Sequence, residues 1–225
     1  MEEMKEPSNL QKMQQAIVLP NDTTLSTLLS PAQCDSVAVI IKQLMGVDLK
    51  MVEKMKPAFL NSQLAIFFAM KSIKGFNPQQ QLDGWVQDEA KKQGKKIGSL
   101  ETMDMQMNIL FNSQSLQRQA EQLYATVTHT AESAELAKKM TDAYMNQILE
   151  LLEATMNEEL GNDSDALPEE KELLIYNRNE NWIKLMSGIM QERPTLFAVV
   201  AGQLIGERGG LNLLKEQGYA INSIK

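Results

Sequence analysis

The stretch AGQLIGERGG, residues 201–210, places four glycines between two apolar runs near the end of the sequence. A glycine-rich loop that opens a helix points backbone N–H groups outward, so it can bind an anion. The spacing matches neither G-x-x-x-x-G-K-[ST] nor G-x-G-x-x-G, the loops that hold nucleotide phosphates. Spacing alone therefore favours a tight turn between a strand and a helix over a phosphate site.

Two further charged residues stand where a site could form. Glu101 follows the stretch KKIGSL, and a carboxylate at the end of a buried strand is well placed for a site. The same carboxylate could instead complement the dipole of the helix that follows. Arg178 lies four residues before Trp182, so its guanidinium either points into a cleft or stacks on the indole at the surface. The sequence leaves both choices open.

Histidine and cysteine are too scarce for several common kinds of site. His129 is the sole histidine, which excludes an H-E-x-x-H motif and a three-histidine metal site. Its neighbours are small polar residues near a helix break, so we expect a surface or capping role. Cys34 is also alone, which excludes an intramolecular disulfide and a cysteine-based zinc cluster. We expect it to be an inert core residue.

The composition is that of an acidic globular protein. The net charge is −7 and the isoelectric point is about 4.9, so repulsion from phosphate backbones argues against nucleic-acid binding. The 15 methionines and few aromatic residues predict a core of helices packed through adaptable side chains. No apolar stretch approaches the roughly 18 residues of a transmembrane helix. The acidic first residues lack the features of a signal peptide.

The periodicity predicts an α/β fold dominated by helices. Helices are expected over about 8–93 and 115–191, and the first of these regions has clear capping signals at Ser30, Pro31 and Gly46. Three short segments at 95–99, 195–201 and 219–224 are predicted strands. The last two flank the glycine loop, so the C-terminal region is predicted to be a βαβ unit in a small mixed or parallel sheet surrounded by helices. One domain over residues 1–225 is expected.

Four sequence blocks, taken together, resemble a known family. They are KMKPAFLNSQLA, LDGWVQDEAKKQGKKIGSLETMDMQ, YNRNENWIKLM and FAVVAGQLIGERGGLNLLKEQGYAI. The TraB/GumN family, which includes the Tiki membrane-anchored Wnt-inactivating proteases, has a K-P pair, an LE-T-x-x-x-Q stretch, an RN-x-x-W stretch and a GAGHLxGxxGLLxLLxxxGY block in the same order. The resemblance covers essentially the whole chain and implies a mixed α/β fold.

For the Tiki branch the resemblance implies metal-dependent peptide hydrolysis, in which a divalent manganese, cobalt or zinc ion polarises the carbonyl and activates water. Its ligands here would be Glu3, Glu101 and Gln203. The chemistry would use Glu101, Gln203 and Arg178, the last of which would either stabilise an oxyanion or hold a substrate carboxylate. The further cleft residues that the resemblance implies are Glu3, Gln106, Asn179, Gly202, Gly206, Glu207 and Gly209.

This sequence departs from the family pattern in two places. Gln203 stands where the second G-x-x-H motif has histidine, and a neutral amide is a poor zinc ligand and no base near neutral pH. The family's N-terminal strand, with the first G-x-x-H motif, is not found. The chain is therefore either a shortened natural member or a piece trimmed at its N-terminus.

These departures leave three kinds of function open, the third being an all-helical interaction module in which the glycine loop is purely structural. The first is a metal-dependent, peptidase-like hydrolase or an inactive relative of one. The second is a protein that binds a peptide or small ligand in the same cleft without chemistry, in which case no metal is needed. The lost strand would expose a sheet edge, and a homo-oligomer paired through that edge is expected. Family members are often exported or membrane-attached, so the location of this chain stays open.

Overall fold

The computed structural model describes residues 7–224, with side chains from Asn9 onward. Helices dominate the described part of the chain. Their bounds are α1 Pro7–Ala16, α2 Leu25–Leu28, α3 Pro31–Met45, α4 Leu49–Val52, α5 Pro57–Ser72, α6 Leu82–Lys92, α7 Met103–Asn112, α8 Leu116–Thr128, α9 Thr130–Met145, α10 Leu149–Met156, α11 Pro168–Lys171, α12 Asn177–Glu192 and α13 Gly210–Glu216. A π-helical turn, Glu172–Tyr176, joins α11 to α12, and a 3-10 turn spans Ala201–Gln203.

The helix ends follow the local sequence signals. Ser30 and Gln33 form a capping box at the start of α3, in which the Gln33 N–H donates to Ser30 Oγ and the Ser30 N–H donates to Gln33 Oε1. Pro31 occupies the first turn, where its missing N–H costs nothing. Gly46 ends the helix at φ 73°, a left-handed conformation that glycine adopts without strain. The capping residues predicted for this helix are confirmed.

The predicted sheet is wrong. Within residues 7–224 there is an isolated antiparallel bridge between Val18 and Met55, but no strand and hence no βαβ unit. Alternation does persist near the glycine loop, because Phe197 and Val199 pack on buried side chains while Leu196 and Val200 are 78% and 66% exposed. One covered face produces that pattern, but a strand also needs a neighbouring strand to pair its N–H and C=O groups. A homo-oligomer was expected to pair through a sheet edge. The described residues offer no such edge, and the oligomer itself stays a prediction.

The described chain packs as two compact units. The first unit contains the residues up to 79 together with 103–138 and 159–166, and the second contains 80–102, 139–158 and the residues from 167 onward. The core of the first unit consists of Leu25, Leu29, Val37, Ile41, Leu60, Leu64, Ala120, Leu123 and Val127. The core of the second unit consists of Trp182, Ile183 and Met186, with Leu100, Met190, Phe197, Val199, Leu213 and Leu214 packed around them. The single domain expected over the whole chain stays a prediction.

Two residues singled out by their scarcity have structural roles. His129 is the C-cap residue of α8, and its Nδ1 lies 3.0 Å from the carbonyl oxygen of Ala125. The expected capping role is confirmed. Cys34 is half-buried on α3 and packs against the core of the first unit.

Among the helices of residues 7–224, none has the length and apolar character that a membrane crossing requires.

Lys56 gives the first unit a testable dependence on pH. Burial lowers the pKa of its amine below the ordinary value of 10.5. The folded state therefore loses this proton at a lower pH than the unfolded state, so stability rises as the pH increases through the folded pKa and levels off above 10.5. Urea unfolding followed by far-UV circular dichroism from pH 7 upward should show wild type gaining stability relative to Lys56→Met. A constant difference between the two proteins across that range would contradict the assignment.

Candidate functional site

Arg178 and Glu101 form a buried, two-pronged ion pair in the second unit. Arg178 Nε donates to Glu101 Oε1 at 2.8 Å and Nη2 donates to Oε2 at 2.9 Å, and the two side chains are 18% and 3% exposed. The guanidinium also lies 4.9 Å from the centre of the Trp182 ring, one helical turn further along α12. Arg178 therefore stacks on the indole, but in the protein interior rather than at the surface. Both carboxylate oxygens of Glu101 are engaged by a cation.

The same arginine is connected to the glycine loop through one backbone carbonyl. Leu174 lies in the π-helical turn, and its oxygen accepts from Arg178 Nη1 and from Gln203 Nε2, each at 3.1 Å. Single π-helical turns are rare and occur often at functional sites. The bond to a carbonyl also fixes the orientation of the Gln203 amide, because only its NH₂ group can donate. Glu101, Arg178 and Gln203 are thus joined in one hydrogen-bonded chain.

Gln203 is the last residue in this series of hydrogen bonds, and its side-chain oxygen accepts none. Its side chain is buried, with 4% exposure, and no group in the described part of the chain donates to its Oε1. Buried polar atoms are nearly always hydrogen-bonded, so an orphaned oxygen needs an explanation such as a missing ligand or water. Trp182 Nε1 and Ser187 Oγ of the same unit are also without a partner in residues 7–224. The oxygen of Gln203 therefore has no hydrogen-bond donor among the described residues.

Arg208 holds the glycine loop against the π-helical turn. Its guanidinium lies 4.5 Å from the centre of the Tyr176 ring, binds Glu172, and donates to Glu180 Oε1 from Nη2 at 2.6 Å. Asn179, which is fully buried, donates from Nδ2 to the Arg208 carbonyl at 2.8 Å. The hydrogen bonds that the guanidinium donates to Glu172 and Glu180 raise its pKa. These contacts therefore hold the glycine loop in one position beside the π-helical turn.

Two glycines in the loop are required for different physical reasons. Gly206 has φ 87°, a conformation that other residues adopt only with strain. Gly209 has an ordinary φ of −75°, but a Cβ there would lie 2.7 Å from the Leu204 carbonyl oxygen and would also collide with the Ile205 carbonyl. Glycine is therefore required at position 209 because the neighbouring backbone leaves no room for a side chain. Gly202 is packed closely as well, since a Cβ there would lie 2.8 Å from Met156 Cε.

A cavity of about 340 Å³ lies beside this loop. The residues that line it are Leu149, Glu150, Glu153, Leu204, Ile205, Gly206, Glu207, Leu211, Asn212 and Lys215. Glu153 lies close to the loop backbone at Gly206, because a Cβ added there would lie 3.2 Å from Glu153 Oε1. Three carboxylates against one ammonium give the lining a negative balance, which favours a ligand with a positive charge.

The structure brings most of the sequence-predicted site residues into the second unit. Those on or in contact with the hydrogen-bonded chain or the loop are Glu101, Arg178, Asn179, Gly202, Gln203, Gly206, Glu207 and Gly209. Gln106 belongs to the first unit, where it is exposed on α7, and it takes no part in the hydrogen bonds around Arg178. Glu3 lies outside the described residues.

Sequence reasoning missed the residues that hold the loop. Glu172, Tyr176 and Glu180 recur every four residues, which places them on one face of a helix, and Arg208 is the loop's only cation. That spacing was a usable signal for a clamp on the loop. The Leu174 carbonyl had no such signal, because its availability depends on the π-helical turn. No side-chain pattern in the sequence announces that turn.

Comparison with known proteins decides the family. A model of the TraB/PrgY/gumN family matches residues 1–223 of the chain. The chain belongs to the TraB/PrgY/gumN family. The resemblance carried by the four sequence blocks is thereby confirmed. Neither the curated proteins nor the solved structures include a match to this chain.

The metal site implied by the resemblance to the TraB/GumN family is poorly supported by the donors that the structure describes. Both oxygens of Glu101 already accept from Arg178, and Gln203 offers a neutral amide oxygen, which is a weak ligand for zinc and a modest one for manganese. No cluster of three histidine, cysteine, aspartate or glutamate residues suited to a metal ion occurs within residues 7–224. A manganese, cobalt or zinc ion at this site stays a prediction.

Proposed function

We propose that this member of the TraB/PrgY/gumN family binds a peptide or small ligand at the glycine loop without hydrolysing it. One observation carries the proposal: the carboxylate expected to activate water, that of Glu101, is held by two hydrogen bonds from Arg178. Both oxygens of this buried carboxylate already accept from the guanidinium, so neither is left open to a water molecule that it could activate. Gln203 cannot replace it, since an amide does not take up a proton near neutral pH.

The same arrangement is suited to recognition. Gln203 Oε1 is a fixed, buried acceptor with no partner in residues 7–224, so a ligand N–H that reached it would satisfy a costly orphaned group. A peptide backbone supplies such donors at regular intervals. The loop that carries Gln203 is held by Arg208 and Asn179, so little ordering is required on binding.

The charge beside the loop indicates which ligands are preferred. Glu150, Glu153 and Glu207 line the neighbouring cavity, against the single cation Lys215. A ligand with a free amine would gain charge-assisted hydrogen bonds there, whereas an anionic ligand would be repelled. We therefore expect the preferred ligand to be a peptide or small molecule with an amine near its bound backbone.

A pair of peptides that differ only in charge tests this preference. We would titrate the protein with Ala-Ala-Lys-Ala, blocked at both ends, and with the same peptide acetylated on the lysine amine, using isothermal titration calorimetry. The lysine peptide is expected to bind about tenfold more tightly, and Glu153→Gln is expected to remove most of that difference. Glu192→Gln is the matched control, because it removes the same charge from an exposed position in the same unit.

The proposal fails if the two peptides bind equally well to wild type, or if neither binds at millimolar concentration. It also fails if Glu192→Gln lowers the affinity as much as Glu153→Gln, since the effect would then reflect overall charge. Release of peptide fragments during the titration, detected by mass spectrometry, would restore the hydrolase as the better description.

A further inference from the structure

A second cavity, in the first unit, takes no part in the site described above. Its volume is about 860 Å³, within the range typical of pockets for small ligands. The residues that line it are Gln11, Gln14, Gln15, Val18, Leu19, Pro20, Lys56, Phe111, Asn112, Gln114, Ser115 and Leu116. Lys56 is the one ionisable side chain among them. The cavity thus combines a single cation with neutral amides and apolar surface.

Lys56 is held in place by the backbone around it. Its N–H donates to the Ile17 carbonyl at 2.8 Å, beside the bridge between Val18 and Met55, and Pro57 then begins α5. Only 7% of Lys56 is exposed. Lys56 is therefore a largely buried residue of the cavity wall.

The ammonium of Lys56 is incompletely satisfied. It has three donors, of which one goes to the Phe111 carbonyl at 3.2 Å and one to Asn112 Oδ1. The Phe111 carbonyl also accepts from Gln119 Nε2 at 3.2 Å, so this acceptor is shared. No carboxylate in the described part of the chain forms an ion pair with Lys56. A buried cation without a counter-ion is costly, and an anion in the cavity would offset that cost.

A helix start on the same wall adds to the positive potential. Helix α8 begins at Leu116, and its N-cap residue Ser115 satisfies the Arg118 N–H through Oγ. The first two N–H groups of the helix, those of Leu116 and Gln117, have no acceptor within residues 7–224. Unsatisfied N–H groups at a helix N-terminus favour negative charge. Ser115 and Leu116 line the cavity together with Lys56.

We propose that this cavity binds a monocarboxylate that carries an apolar chain. The carboxylate pairs with Lys56, and the apolar chain lies against Val18, Leu19, Phe111 and Leu116. One buried cation matches one negative charge, whereas a phosphate monoester would bring about 1.5–2 charges into a site that has a single counter-charge. Two sources share this chemistry, a short-chain acid and the C-terminus of a peptide with apolar final residues.

Matched pairs of probes test the proposal on the wild-type protein. Hexanoate is compared with hexanamide, and the tripeptide acid acetyl-Ala-Leu-Val is compared with its C-terminal amide, by isothermal titration calorimetry. In at least one pair the acid is expected to bind about tenfold more tightly than the amide, as befits one charge-assisted contact. The pair that shows the larger preference identifies the source of the carboxylate. Equal affinity of acid and amide in both pairs would overturn the proposal, and so would the absence of binding.

Variants then assign the preference to the cavity. Lys56→Met keeps the length of the side chain and removes the charge, so it should abolish the preference for the acid. Lys50→Met, an exposed change of the same kind in the same unit, should leave it intact. Where Lys56→Met does not fold, Gln15→Glu serves instead, because it adds a competing carboxylate at an exposed position in the lining and should weaken binding of the acid at least threefold. Retention of the preference in folded Lys56→Met, or unchanged binding in Gln15→Glu, would place the carboxylate elsewhere and overturn the assignment.

Discussion

Replacing Arg178 by methionine is expected to lower the free energy of unfolding by about 3–5 kcal/mol, because it leaves the buried carboxylate of Glu101 without its partner. The change also removes the stacking on Trp182 and one donor to the Leu174 carbonyl. Urea unfolding followed by tryptophan fluorescence is the suitable measurement, since Trp85 and Trp182 both belong to the second unit.

The matched control separates loss of the ion pair from loss of packing. The double substitution Glu101→Leu with Arg178→Met removes both charges, so it should recover stability to within about 2 kcal/mol of wild type. Arg193→Met breaks an exposed pair with Glu192 and should change stability by less than about 0.5 kcal/mol. If Arg178→Met is no more harmful than Arg193→Met, Glu101 is not a buried and paired carboxylate.

Alanine at position 209 is expected to destabilise the second unit by about 3 kcal/mol and to weaken binding at the glycine loop. The added Cβ would collide with the carbonyl oxygens of Leu204 and Ile205, and backbone atoms cannot move aside as a flexible side chain can. The loop would have to shift, and Gln203 would shift with it. Tryptophan fluorescence during urea unfolding measures the first effect, and titration with the lysine peptide measures the second.

Gly188→Ala is the matched control for this change. Gly188 lies within α12, and a Cβ there would meet nothing within 4 Å. Alanine is the better helix former, so this substitution should raise stability by about 0.5–1 kcal/mol. Equal effects of the two substitutions, or a neutral Gly209→Ala, would show that position 209 has room for a side chain.

Local signals in the sequence predicted helix ends well. The capping box at Ser30 and Gln33 and the stop at Gly46 depend on hydrogen bonds within a few residues, so the residue types alone specify them. The same holds for His129, for which a surface or capping role was expected and which is the C-cap residue of α8. Such features need no information about the rest of the fold.

The sheet was mispredicted because a strand is not a local property. Residues 196–200 alternate between exposed and partly covered side chains, as a strand does, but pairing depends on a second segment at the right distance. A sequence pattern shows which face of a segment is covered, but it does not show which segment lies beside it. Phe197 and Val199 pack against the side chains of Trp182, Ile183 and Met186 on α12, and side-chain packing of this kind does not supply the backbone partner that a strand needs.

The candidate site was predicted in part for a similar reason. Glu101 and Gln203 were expected to converge, and the structure connects them through Arg178 and the Leu174 carbonyl. The pairing of Arg178 with Glu101 spans 77 residues of sequence, so no spacing rule could foresee it. On our proposal, this pairing favours recognition of a ligand over activation of water.

Mass spectrometry of a defined peptide mixture tests the absence of hydrolysis most directly. The protein would be incubated with blocked lysine-containing peptides and with manganese, cobalt or zinc. The masses of both the bound and the free peptides would then be measured. We predict that intact peptides are recovered in the bound fraction and that none is cleaved, with wild type and with Gln203→His alike. Metal-dependent cleavage by wild type that is lost in the Glu101→Leu and Arg178→Met double variant would contradict this account.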